Sequence, residues 1–130
     1  MRRGPTGFTL IELLIVVVII GILATLAVPK FANTKEKSYL ATMRSDLRNL
    51  AVAEEAYFTD AIDYYGGSVP GAGLSYSGPS SGVTVTLQDV SLGGWAAKAT
   101  HVATPKTYAI FFGTAPALAP AVDSGRVACD

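Results

Sequence analysis

The chain has 130 residues, half of them hydrophobic, and its ten basic side chains balance ten acidic ones. That balance argues against nucleic acid or an acidic surface as the main partner, while the apolar fraction exceeds what a small soluble domain usually carries. One cysteine, Cys129, and one histidine, His101, exclude a Cys/His metal cluster and an internal disulfide framework, so packing must hold the fold together.

The first element is the stretch "TGFTLIELLIVVVIIGILATLAVPKF", Thr6 to Phe31. As a helix, Phe8 to Pro29 spans roughly 33 Å, the thickness of a bilayer's hydrocarbon core. Leu13 to Pro29 carries no charge and is apolar on every face, so it needs lipid or other apolar helices around it. Read as a cleaved secretory signal, Arg2 and Arg3 form the basic leader and "ATLA", Ala24 to Ala27, precedes the cut. Read as an ordinary uncleaved anchor, it has cations on both flanks, Arg2 and Arg3 against Lys30, Lys35 and Lys37, which leaves its orientation open. Neither reading accounts for Glu12. A carboxylate at mid-bilayer costs ~2.5 kcal/mol or more, so an intramembrane acid marks a function and needs a partner, unless it sits near enough to the interface to reach water.

Two backbone residues in this segment also have alternatives. Pro29 has no N–H and its ring crowds the Thr25 carbonyl, and Gly21 weakens a helix by ~1 kcal/mol relative to alanine. The helix is therefore expected to kink or loosen between Gly21 and Pro29, or else these are simply a tolerated glycine and proline of a membrane helix.

The leader "RRGPTG" followed by "FTLIELLIVVVIIGILATLAVPKF" resembles the class III signal and N-terminal helix of type IV pilins and of type II secretion pseudopilins. The likeness is close over residues 1–55 and rests on Gly7, the aromatic Phe8, Glu12 as fifth residue after that glycine, and Pro29 closing the apolar run. The resemblance implies that a prepilin peptidase cuts between Gly7 and Phe8 and methylates the new amine of Phe8. It implies that the apolar segment is kept as membrane anchor and assembly surface, and that Glu12 pairs with the Phe8 amine of a neighbouring subunit. A buried ion pair adds little stability, but an unpaired buried charge is heavily penalised, so such a pair fixes the stagger between subunits more than their affinity. The resemblance further implies that the Gly21 to Pro29 stretch unwinds when a subunit leaves the bilayer.

Beyond Pro29 the pattern turns amphipathic. Leu40, Met43, Leu47, Leu50, Ala51, Tyr57 and Phe58 recur at helical spacing while Lys37, Arg44, Arg48 and Glu55 fall elsewhere, which predicts a helix continuing to about Ala61 with its stripe packed on a sheet. "DYYGGSVPGAGLSYSGPSSG", Asp63 to Gly82, reads as turns and loop, and its Tyr64, Tyr65 and Tyr76 are either surface contacts or a cover for the helix–sheet core. Alternation then predicts strands over Gly82–Val90, Trp95–Val102 and Thr107–Gly113, joined by "SLGG" and "ATPK" into an antiparallel meander. One face is expected to cover the helix and the other to meet water. The tail Thr114 to Asp130 is rich in alanine and proline and is expected to lie extended over the sheet. Many members of the family close a C-terminal loop with a disulfide, which Cys129 alone cannot form, so packing or strand pairing must hold it; the thiol is either free or a link between subunits.

Some pseudopilins bind calcium near the C-terminus, but Asp89, Asp123 and Asp130 have no calcium-loop spacing, and no metal or cofactor is expected. His101, Cys129, Ser91 and Ser124 sit in no nucleophile motif, so an enzyme is not expected, a tethered catalyst in Tyr64 to Asp130 being the remote alternative. The reading as a whole is an α+β pilin fold in four parts: leader 1–7, transmembrane and assembly helix 8–31, amphipathic half 32–62 and head 63–130. The function it implies is a homopolymeric type IV pilus subunit, or alternatively a type II secretion pseudopilin. Its expected partners are further copies of itself, the prepilin peptidase, the assembly platform with its ATPase, and the inner membrane before assembly, the head lying outside the cytoplasm. No specific nucleic acid is expected. After assembly the place is an extracellular pilus or a periplasmic pseudopilus.

Overall fold

The computed structural model describes residues 7–130, so the basic leader with Arg2 and Arg3 lies outside the described residues. A single helix, α1, runs from Leu10 to Ala61 without a break, through both Gly21 and Pro29. It ends where its periodicity does. The Ile62 N–H still donates to the Phe58 carbonyl at 2.9 Å, but Ile62 itself has turned to a φ of 55°, a left-handed conformation that a β-branched residue adopts only at a chain reversal. The chain divides after Lys35 into two compact units.

In the second unit, the remainder of α1 packs on a four-stranded antiparallel sheet in the order β1-β2-β3-β4. The strands are β1 (Val83–Ser91), β2 (Gly94–His101), β3 (Thr104–Gly113) and β4 (Ala128–Cys129). The helix presents Met43, Leu47, Leu50 and Ala53, one residue per turn, to Val83 and Val85 of β1, Trp95, Ala97 and Ala99 of β2, and Ile110 of β3. Alternation supplies that face, because every second residue of a strand points the same way. Alanines on the central strand β2 let the helix come close, and the single tryptophan, Trp95, fills the end of the layer stacked on Phe112 at 5.1 Å between ring centres.

One of the two turns departs from its expected position. "ATPK" is not the second turn: Val102 and Ala103 make it, and Thr104, Pro105 and Lys106 belong to β3. The register explains how a proline is accommodated. Thr100 faces Thr107 but His101 faces Thr104, so Pro105 and Lys106 sit in a bulge where no ladder N–H is required. At the first turn, "SLGG" is as expected, and its glycine is required, since a Cβ at Gly94 would collide with the Phe112 carbonyl oxygen.

The second face of the sheet is also not left to water as expected. Ala96, Ala109 and Phe111 are covered by Ala115, Leu118 and Ala121 of the tail, forming a second small core. The tail then returns to the sheet edge, where β4 pairs Cys129 with Tyr108 and Ala128 with Ala109. Asp130 finishes the pairing, accepting the Thr107 N–H at 2.7 Å and its hydroxyl at 3.1 Å. Strand pairing thus does what a disulfide would do. In the loop between α1 and β1, Leu74 and Tyr76 are buried, Tyr65 meets Tyr57 edge-on and Tyr64 stacks on Phe58, so the tyrosines cover the helix–sheet core.

Leu47 is fully buried at the centre of this layer. Leu47→Ala is expected to destabilise the head by about 2–5 kcal/mol. Urea unfolding of the full chain in detergent, followed by Trp95 fluorescence, checks it; an unchanged midpoint would place the core elsewhere.

Candidate functional site

The first unit has no interior of its own among the described residues. From Phe8 to Phe31 every large apolar side chain is exposed, from 46% at Val16 to 88% at Leu10. The most apolar 18-residue window of α1 has a mean hydropathy of 3.0, and the helix is long enough to cross a membrane. A surface this apolar on every side is stable only in lipid or against other apolar helices, so the helix surface is itself the candidate site.

Gly7, Phe8 and Thr9 precede the helix outside regular structure, and nothing lies within 4 Å of where a Gly7 side chain would start. Glu12 stands in the first helical turn. Its Oε2 accepts the Thr9 N–H at 2.8 Å and the Thr9 hydroxyl at 2.7 Å, while the Glu12 N–H donates to Thr9 Oγ1 at 3.3 Å. This is a capping box, T-x-x-E, in which side chains satisfy backbone N–H groups that the helix start leaves open. Within the chain, therefore, the carboxylate is solvated by its own helix terminus and meets no cation among the described residues. Sequence reasoning asked only for a charged partner; the threonine three residues earlier was the signal for this one. Further along, Pro29 leaves the Thr25 carbonyl without its usual donor, and the Thr25 hydroxyl bonds to the Ile22 carbonyl at 2.7 Å.

Two carboxylates in the second unit escaped the sequence reading, although both fall on the apolar stripe, Asp46 three residues after Met43 and Glu54 four after Leu50. Asp46 is 3% exposed and accepts both the backbone N–H and the hydroxyl of Ser80, each at 2.9 Å, which ties the loop to the helix. Glu54 is fully buried. Its Oε2 accepts the Tyr65 N–H at 2.9 Å, whereas Oε1 has no protein partner, and burial pushes its carboxyl up to about 7. Burial likewise pushes the Tyr76 hydroxyl up to about 12.

The remaining candidates are not brought together. His101 stacks on Tyr39 at 4.3 Å and accepts the Ala103 N–H on Nδ1 at 3.0 Å, so it packs and closes the β2–β3 turn. Asp123 pairs with Arg126 at 3.1 Å, Asp130 is taken by Thr107, whose N–H holds its carboxyl below the usual carboxylate range, and Asp89 is on β1. Cys129 is free and half-buried, donating to the Asp130 carbonyl at 3.2 Å. Ser91 bonds to the Gly94 carbonyl at 3.3 Å, within its own turn.

The described chain is thus an α+β arrangement, a long helix with a capped glutamate at its apolar start that packs further on against a small antiparallel sheet. Residues 2–28 match the prokaryotic N-terminal methylation motif. The type II secretion system core protein G of Pseudomonas aeruginosa is 40% identical over 63 residues, 48% of this chain and 44% of that protein. The type IV major pilin protein PilA of Myxococcus xanthus is 43% identical over 58 residues, 45% and 26% of the two chains, and the type IV major fimbrial protein FimA of Dichelobacter nodosus is 42% identical over 60, 46% and 38%. The chain thus spans less than half the length of these relatives. The motif and these matches are what the chain shares with type IV pilins and type II secretion pseudopilins, and they lie in its N-terminal half.

The raised Glu54 carboxyl makes the head's stability depend on pH. Between about 4.5, the ordinary value, and about 7 the folded chain holds a proton that the unfolded chain has released. Stability therefore falls as pH rises across that window, by at most on the order of 3 kcal/mol. Glu54→Gln is expected to remove most of this slope, as read from urea midpoints at acid and alkaline ends of the window; an identical slope in the variant would refute it.

Proposed function

We propose that the chain is a filament subunit processed between Gly7 and Phe8 by a prepilin peptidase, which methylates the Phe8 amine. The observation that carries this reading is the apolar surface of Phe8 to Phe31, exposed on every side and free of charge from Leu13 to Pro29. In the inner membrane that surface meets lipid, with the head outside the cytoplasm. In the filament it meets the same surface of other copies, so the cohesion of the assembly is repeated apolar burial and helix packing. The assembly platform and its ATPase supply the work of extraction.

Glu12 then has two successive partners. In the single subunit it caps α1 through Thr9; in the filament it pairs with the amine of a neighbour's Phe8. Either partner relieves the cost of a charge in an apolar setting, and only the second depends on the stagger of two chains, so the glutamate acts as a register mark. Gly21 and Pro29 are where the helix yields most readily during the transfer, because one lacks a side chain and the other a hydrogen bond.

The type IV pilus is the preferred filament. The type II secretion pseudopilus is the second reading, favoured by the match to core protein G, which extends over a larger share of that relative than the match to PilA does.

Intact mass and N-terminal sequencing of protein sheared from the cell surface decide between them. A chain beginning at methylated Phe8 in abundant surface fibres is expected. Phe8 confined to the cell envelope would favour the pseudopilus, and a chain beginning at Val28 in the medium would overturn the filament. Glu12→Ala is expected to leave processing intact and to reduce filament yield or disorder the subunit stagger; fibres of normal yield and stagger would remove the register role.

A further inference from the structure

The second unit, Glu36–Asp130, carries six basic and nine acidic residues, and several of them stand apart from any partner of opposite sign. Among the described residues of the chain the ion pairs are Lys106 with Glu36 and Arg126 with Asp123, so Lys37, Arg44 and Arg48 on α1 have no acidic partner. Arg44 and Arg48 are exposed and line two adjoining clefts of about 530 and 470 Å³ between the helix, β3 and the tail, with Lys37 beside the first and Val52, 71% exposed, beside the second.

The opposite sign collects at the end of α1. Asp60, Asp63 and Asp89 are exposed, make no ion pair among the described residues, and stand where the helix has no basic residue in its last turn to offset the negative end of its dipole. Asp63 and Asp89 line one cleft, and Leu92, 73% exposed, stands at it. Each surface therefore carries an exposed aliphatic residue next to unpaired charge, and the charges are opposite.

Resting on the filament reading above, we propose that the acidic end of one head, Asp60, Asp63 and Asp89 around Leu92, docks into the basic clefts of a second copy at Lys37, Arg44 and Arg48 around Val52. The occupant is another copy of this chain because the two surfaces complement each other in both charge and apolar content. A two-fold dimer through either surface would set like charges face to face. Two different surfaces on one chain instead give a head-to-tail contact, which makes a ring where its rotation closes and an open helical polymer where it does not, the latter being the form that fits the filament reading. Asp60 is sixteen residues from Arg44 and twelve from Arg48 on α1, so paired copies are displaced along the helix by about 18–24 Å. Partly exposed ion pairs are individually weak, so the contact sets which heads meet, while the apolar helices supply cohesion.

The test uses the full chain in its own assembly system, with Cys129→Ser to remove the native thiol. Filaments carrying both Arg48→Cys and Asp63→Cys, treated with a short bifunctional thiol reagent, are expected to give a ladder of dimer and higher species, whereas either cysteine alone gives monomer. Arg44→Glu with Arg48→Glu is expected to lower filament yield about tenfold with the Phe8-processed subunit still at normal level in the membrane, and Asp60→Lys with Asp63→Lys in the same chain is expected to restore it. Filaments without the ladder, or normal yield after charge reversal, would overturn the contact. An unaltered chain that never leaves the membrane would instead overturn the filament reading itself.

Discussion

Apolar surface that the chain cannot bury against itself is the constraint on which everything else depends. The side chains of Phe8 to Phe31 leave so much hydrocarbon exposed that α1 can rest only in lipid or among other apolar helices. Under the proposed function the requirement is met by lipid before assembly and by other copies of the helix after it. It also makes any polar group in the segment conspicuous. Glu12 is tolerated because the helix start offers it a backbone N–H and a hydroxyl from Thr9.

The head solves a different problem with the continuation of the same helix. Met43, Leu47, Leu50 and Ala53 find a sheet within the chain, so this half buries its stripe at home and leaves its other faces for charge. Two carboxylates are drawn into that core at unequal cost. Asp46 spends both oxygens on Ser80 and thereby pins the loop, whereas Glu54 holds the Tyr65 backbone with one oxygen and leaves the other bare, and its burial couples the fold to pH. Both interactions lie within the second unit.

Much of this was legible in the sequence. The length and polarity of the N-terminal helix, its end at Ala61, the three long strands and the turn at "SLGG" follow from periodicity and turn chemistry, which act among near neighbours. The family resemblance rested on a handful of residues, Gly7, Phe8, Glu12 and Pro29, and the methylation motif falls on the same stretch. The errors have a common origin. "ATPK" read as a turn because proline resists a ladder, but the Thr100–His101 bulge gives Pro105 a place inside β3. The second sheet face read as wet because each strand alternates, but the tail supplies Ala115, Leu118 and Ala121 to cover it.

What the sequence determined by itself is the division of labour along the chain, a helix too apolar for water followed by an amphipathic half and an alternating meander, because those periodicities need only a few consecutive residues. What only the tertiary structure decided is which polar groups are satisfied and which are left open. Ser80 reaches Asp46 from thirty-four residues away and Tyr65 reaches Glu54 from eleven. Thr107 is met by Asp130 from twenty-three residues away, and Arg44 and Arg48 line clefts other than the one that Asp63 and Asp89 share. Such meetings depend on the path of the whole chain through space, and no local pattern encodes them.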